Sequence, residues 1–323
     1  MTTRSSSTPL LRALAVVLAC TGAATPLLGC GSDDTTAAGG AGGTAGNGGQ
    51  GGTAGSTSTS GTGGQAGAPI HPGVLADDGL VARYYLDEAA SGQAPTEVLD
   101  AAPDPLPLPL TYVNIGTDEF MTYTEDADGN RGLAFAAIGH DDRASIPVDS
   151  TKVSAALHAS HAVTYEVVAD VQGVSGSTSR IIHIGTDTEH TLSIETDAVT
   201  RLQFSVNEHG VGGIPVDLKT LGRAVFHTVL DTAQSEPADR VRIYVNGGRL
   251  PSVWGTPPDL DAPIDLGIGR DFVIGNREIG ERSIEGVIYY AAVYGEPLTD
   301  EQILQNVALL LIDDDTPAGG AAD

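Results

Sequence analysis

Ala162-Val163-Thr164-Tyr165-Glu166-Val167-Val168-Ala169-Asp170-Val171 decides the fold. Val163, Tyr165, Val167, Ala169 and Val171 fall on one side of an extended chain, with Thr164, Glu166, Val168 and Asp170 on the other. Successive side chains of a strand point to opposite faces, so this period-two pattern predicts a strand in a sheet with one well-buried face.

Outward from that strand, similar segments recur. On the N-terminal side Gly79–Glu88, Leu108–Val113, Gly132–Ala136 and Arg143–Pro147 have strand composition. On the C-terminal side follow Arg180–Gly185, His190–Glu195, Leu202–Asn207, Ala224–Asp231, Phe272–Gly275 and Ser283–Tyr294, at the short spacing of an antiparallel sandwich. Arg242–Arg249 reads as a hairpin, because Asn246-Gly247 suits the positive dihedrals of a two-residue turn. One helix is expected. Thr299 and Gln302 stand at the capping-box positions, and Ile303, Val307, Leu310 and Leu311 form a stripe that would seal the sandwich. The fold class is therefore all-β, a two-sheet antiparallel sandwich with a short C-terminal helix.

Several runs resemble one family in the same order along the chain. Gly79–Glu88 resembles the opening strand of laminin-G-like, concanavalin A-like jelly-roll domains. Gly132-Leu133-Ala134-Phe135, Asp141-Asp142 and Ile146-Pro147 are similar to that family's next segment, and Ala162–Val171 to its long central strand. Phe226-His227-Thr228-Val229, Tyr244-Val245-Asn246-Gly247 and the closing Gly286, Ile288, Val293-Tyr294 and Pro297–Ile303 complete the likeness. The resemblance implies a jelly-roll sandwich, and carbohydrate or adhesion roles. Departures occur at Tyr289-Tyr290, where many relatives carry an acidic pair, at Ala136-Ala137 after Phe135, and before His227, where the usual Trp is absent.

The N-terminal part reads differently. Arg4 and Arg12, the apolar run from Ala13 and a second apolar stretch are the parts of an export signal. Thr21, Gly22, Thr25 and Pro26 break it too often for a membrane span. Leu27-Leu28-Gly29-Cys30 resembles the lipobox of bacterial lipoproteins, which implies an acylated Cys30; Val17-Leu18-Ala19-Cys20 is the alternative. Gly31 after the cysteine leans toward the outer membrane or cell surface. The expected organisation is a signal over 1–29, a lipidated cysteine and Gly/Ser/Thr-rich disordered tether over 30–74, a jelly-roll domain over 75–313 and a disordered tail over 314–323. The tether composition cannot bury enough to offset its ordering entropy, and its mean reach would be roughly 35–40 Å.

Charge narrows the partners. The chain carries 42 acidic against 16 basic residues, and loss of Arg4 and Arg12 takes the formal −26 to −28. Such a surface repels phosphate backbones, so nucleic acid is excluded as a partner. The expected partners are a membrane through the lipid anchor, and a glycan or cell-surface protein. Both cysteines, Cys20 and Cys30, lie in or beside the signal, so the folded part has no internal disulfide; about 240 residues suffice for a core without one.

Catalytic motifs are sparse. No Glu-x-Asp-x-x-Glu run of the glucanase type occurs, and Glu278, Glu281 and Glu285 are spaced too unevenly to share a strand face, so a noncatalytic binding module is the leading expectation and a divergent glycoside hydrolase or a structural envelope protein the alternative. No Gly-x-Ser-x-Gly or His-Glu-x-x-His is present. His183 and His190 flank a turn and are candidates to meet across it, while His227 reads as a core histidine. No cofactor is certain. Calcium is the candidate, given its preference for loop oxygens and its frequency in laminin-G-like relatives, at Asp126, Asp128, Asn130, Asp141 and Asp142; the plain turn is the favoured reading of Asp128-Gly129-Asn130. Trp254 is a candidate stacking platform, with Arg201, Gln203 and Asn207 as polar ligand-binding candidates on or after one strand.

Overall fold

The computed structural model describes residues 74–93, 96–111, 121–136, 139–174, 178–185, 190–198, 201–207, 209–251, 260–315 and 317. Contacts divide the chain into Met1–Gly61 and Thr62–Asp323, and every described residue lies in the second unit. Cys20, Cys30 and the expected tether lie outside the described residues, as does Trp254.

Sixteen strands are described. In chain order they are β1 Leu80–Tyr84, β2 Glu97–Val98, β3 Leu108–Thr111, β4 Met121–Glu125, β5 Arg131–Phe135, β6 Arg143–Pro147, β7 Ala162–Gly173 and β8 Ser179–Gly185, then β9 His190–Ala198, β10 Arg201–Val206, β11 His209–Pro215, β12 Ala224–Asp231, β13 Val241–Val245, β14 Gly248–Arg249, β15 Asp271–Ile274 and β16 Glu285–Tyr294. The helices are α1 Lys152–Leu157, α2 Leu218–Leu221, α3 Pro237–Arg240 and α4 Asp300–Leu310. The strands form two eight-stranded antiparallel sheets. The first runs β14-β13-β12-β7-β16-β5-β4 with β1 also on β16, and the second β11-β10-β9-β8-β15-β6-β3-β2. The expected all-β sandwich is the observed fold.

The core lies between the sheets. Tyr165 on β7 meets Phe204 on β10 edge-on at 6.1 Å, and Tyr84 on β1 meets Phe272 on β15 at 5.9 Å, so aromatic rings from the two layers interlock. In the second sheet one inward row is wholly apolar: Ala144, Ile274, Ile182, Ile194 and Phe204 stand opposite one another on five successive strands, all fully buried. The Asn246-Gly247 turn has φ +48° and +77°, as the two-residue hairpin requires.

The expectation of one buried face on β7 is corrected. From Val163 to Val168 the strand is buried on both faces, because the outward face of the first sheet is covered too. The cover is α4, begun by the Thr299–Gln302 capping box and closed onto the sheet by Leu298, Ile303, Val307 and Leu310, which pack with Val168, Val225, Val229 and Tyr290. Leu311, placed in the same stripe by its spacing, is exposed. Residues 314 and 315, expected in a disordered tail, are fixed instead: Asp314 is buried against Arg223 at 2.6 Å, and Asp315 lies 3.4 Å from Arg131. No helix among the described residues is long and apolar enough to cross a membrane.

Candidate functional site

Polar chemistry gathers on the outward faces of both sheets, and the two faces differ in what is left accessible. On the first sheet the centre is Glu166, fully buried on β7. Its Oε1 accepts from the hydroxyls of Tyr290 and Tyr294, both at 2.9 Å. Its Oε2 accepts from Asn306 Nδ2 at 2.6 Å and pairs with His227 Nε2 at 2.7 Å. A carboxylate only accepts, so Nε2 carries the proton. Burial works against the charge on Glu166, but the contacts from His227 and Asn306 and the nearby Arg83 outweigh it and hold the carboxyl below its usual range. All four partners are buried under α4, so this cluster closes the fold and offers no entry to a ligand. His227 is a core histidine, as its apolar strand implied.

On the second sheet, residues that alternate with the apolar inward row form an outward row. Ser145 on β6, Val273 on β15, His183 on β8, Ser193 on β9 and Ser205 on β10 stand in register. One pair along β15 is Asp271, half-buried, and one pair along β10 is Gln203, also half-buried. Above His183 lies the 275–283 segment. Asn276 fixes it by donating to the carbonyls of His140 and Asp142, at 2.5 and 3.0 Å, and by accepting from the Arg277 and Arg282 amides. Gly275 begins the segment at φ +80°, packed so closely on the Phe135 ring that no side chain fits there.

The segment brings Glu278 to His183, with Oε2 at 3.4 Å from Nε2. Burial lowers the His183 pKa despite that carboxylate. Glu278 is held below the usual carboxylate range: burial opposes this, and the His183 contact and Arg277 prevail. Asp271 moves the other way, raised by burial and then by the negative charges of Glu278 and Asp149 against the opposing Arg143. Two carboxyl groups with opposite shifts thus influence one another on the same face.

The sequence candidates fare unevenly. Gln203 lies on the outward row as its alternation implied. Arg201 begins β10, paired with Ala198 and Pro215. Asn207 does not line the face: its Nδ2 donates to Pro263 O at 2.9 Å and its Oδ1 accepts from Asp265 N at 3.0 Å, clipping the 263–265 segment. His183 stands opposite Ser193, while His190 pairs with Gly185, so the two histidines are not cross-strand partners. Glu278, read as a loop charge, is instead the partner of His183. In the calcium candidate, Asp126 Oδ1 accepts from the amides of Asp128 and Asn130 and its Oδ2 from Asn130 Nδ2, which is a self-satisfied turn. Asp142 is buried, and among the described residues no three His, Cys, Asp or Glu gather to hold a metal ion. Asp126, Asp128, Asp141 and Asp142 therefore do not form one acidic site.

No family model and no curated protein matches the chain. Among solved structures it is similar to Trypanosoma rangeli sialidase in complex with 2,3-difluorosialic acid, with 15% identity, a TM-score of 0.47, and 74% of this chain and 34% of that one covered. It is similar to domain 4 of AbnA, a GH43 extracellular arabinanase from Geobacillus stearothermophilus, in complex with arabinotriose: 16% identity, TM-score 0.43, 71% and 98% covered. A third is botulinum neurotoxin type C, whose cell entry depends on two ganglioside molecules: 12% identity, TM-score 0.48, 73% and 52% covered. The chain spans about a third of the sialidase's length. The expectation that this is not an enzyme does not stand beside these matches, whose names include sialidases and a domain of an arabinanase. No reaction is assigned to this chain by them.

Proposed function

We propose that the chain is a cell-envelope protein whose β-sandwich engages glycans on the outward face of its second sheet, displayed from a membrane through an acylated Cys30 and the Gly/Ser/Thr-rich spacer that follows. The observation that carries the glycan reading is the contrast between the faces of that sheet. An apolar row from Ala144 to Phe204 fills the inward side, while Ser145, Gln203 and Asp271 stand half-buried on the outward side. Partly desolvated hydroxyl, amide and carboxylate groups on a rigid sheet suit sugar hydroxyls. A glycan array read with Gln203→Ala and Asp271→Asn tests it; a bound glycan indifferent to both substitutions would remove the face from consideration. For the anchor, metabolic labelling with a fatty-acid probe should mark the full chain and be lost in Cys30→Ala; label retained there but lost in Cys20→Ala would move the anchor.

A second reading, glycoside cleavage on the same face, rests on two carboxyl groups there, Asp271 and Glu278, whose pKa values are shifted in opposite directions. Hydrolysis of a bound oligosaccharide that disappears in Asp271→Asn while binding persists would establish it. Binding without turnover in the parent protein would dismiss it.

A further inference from the structure

Residues 1–73 join the sandwich at Val74, and the five residues that follow lie along α4. The Asn306 side chain sits at the junction. Its Oδ1 accepts from the Ala76 amide at 2.8 Å, and its Nδ2 donates to Glu166 on the central strand β7. Arg83 grips the same peptide from the other side, donating through Nη2 to Ala76 O at 2.8 Å and to the Tyr294 hydroxyl at 3.2 Å, and through Nε to the Tyr290 hydroxyl at 3.0 Å. Gln302 Nε2 donates to Asp78 Oδ2 at 2.8 Å, and Gln305 Nε2 to Val74 O. Ala76 itself packs with Val307 and Leu310 of the helix in one apolar cluster.

We propose that the strap Val74–Asp78 and α4 are one latch, docking and releasing together, which fixes the point where the N-terminal chain enters at the middle of the first sheet. The coupling follows from shared partners. If α4 lifts, Asn306 leaves both Glu166 and the Ala76 amide. If the strap lifts, Asn306 Oδ1 loses its donor, the Ala76 amide, and Arg83 Nη2 loses one of its acceptors, the Ala76 carbonyl. Neither element can leave without orphaning polar groups that serve the other, and the cost of an unpaired buried group falls on both. The strap is thereby tied to β7 and β16 through Asn306 and Arg83, and not to the end of β1 alone.

Coupling between two elements is reciprocal, so substitution in either must loosen both. Hydrogen exchange measured by mass spectrometry on the full chain reads this directly. Ala76→Pro removes the strap's amide donor while leaving the sequence of α4 intact, and it should speed exchange in α4 as well as in residues 74–78 by about tenfold. Asn306→Ala should speed both in the same way, with β8 and β15 unchanged. Faster exchange in the strap alone for Ala76→Pro, or in α4 alone for Asn306→Ala, or in neither, overturns the latch. Should Asn306→Ala unfold the whole domain, Gln305→Ala replaces it, a milder loss of the Val74 contact with the same required outcome.

Discussion

Replacing Glu166 by alanine should be among the most damaging single changes in this sandwich. The carboxylate accepts from Tyr290, Tyr294, Asn306 and His227, all within 2.9 Å, and none of these side chains reaches water. Truncation removes the acceptor for four buried donors. Each buried donor left unsatisfied costs about 1–3 kcal/mol, so a loss of about 3–5 kcal/mol is expected. Glu166→Gln keeps the shape and one carbonyl acceptor but brings two donors toward His227 and Asn306, so about 1–3 kcal/mol is expected. Urea unfolding followed by tyrosine fluorescence gives both values, with the midpoint falling and the slope unchanged. At roughly 2–4 °C per kcal/mol for a domain of this size, alanine should lower the melting temperature by about 6–20 °C. A midpoint for Glu166→Ala within error of the parent would refute the reasoning, since the outward face of the first sheet would then be closed by apolar packing alone.

Three further outcomes follow from the same contacts. Asp314, buried beside Arg223, has its pKa raised to about 6, chiefly by burial, so its stabilising protonated form is lost as pH rises through that value; the stability difference between the parent and Asp314→Asn should change between about pH 4 and 6 and be flat above 7, and urea midpoints that shift in parallel across the range would contradict it. Gly275→Ala sets a Cβ against the Phe135 ring at φ +80°, and should cost more than about 2 kcal/mol by the same assay. Thr299→Ala removes the acceptor of the α4 capping box at 3.2 Å and should cost about 1 kcal/mol, seen as a lower melting temperature.

The strands were legible because their apolar alternation survives in the chain itself: β6 and β12 fall on the residues that sequence patterning picked out, and β7 runs two residues longer. β4 escaped notice because Met121-Thr122-Tyr123-Thr124-Glu125 follows a stretch without a clear boundary, and β11 because His209–Pro215 holds three glycines and little apolar alternation. The site was less legible for a geometric reason. Glu166 looks like an ordinary outward carboxylate on a half-exposed strand; only α4, 134 residues further on, makes it buried, through Asn306 at a separation of 140. Glu278 likewise takes its meaning from His183, which it reaches because Asn276 folds the 275–283 segment back over the second sheet. Local pattern carries no information on either pairing.

These two carboxylates also show how the outward faces differ in cover. Each sheet must bury its inward rows against the other, and each is left with polar residues pointing away from the core. On the first sheet those residues are spent: helix α4, the strap and the 314–315 segment bind to them, and Glu166, His227, Tyr290 and Tyr294 are all buried as a result. On the second sheet the 275–283 segment comes down beside His183, and Ser145, Gln203 and Asp271 are half-buried. A ligand that needs several hydroxyl contacts at once can be held only where polar groups are fixed by a sheet yet still reachable. Half-buried polar side chains remain on the second sheet, whereas on the first Glu166 and His227 are buried under the same C-terminal helix that completes its fold.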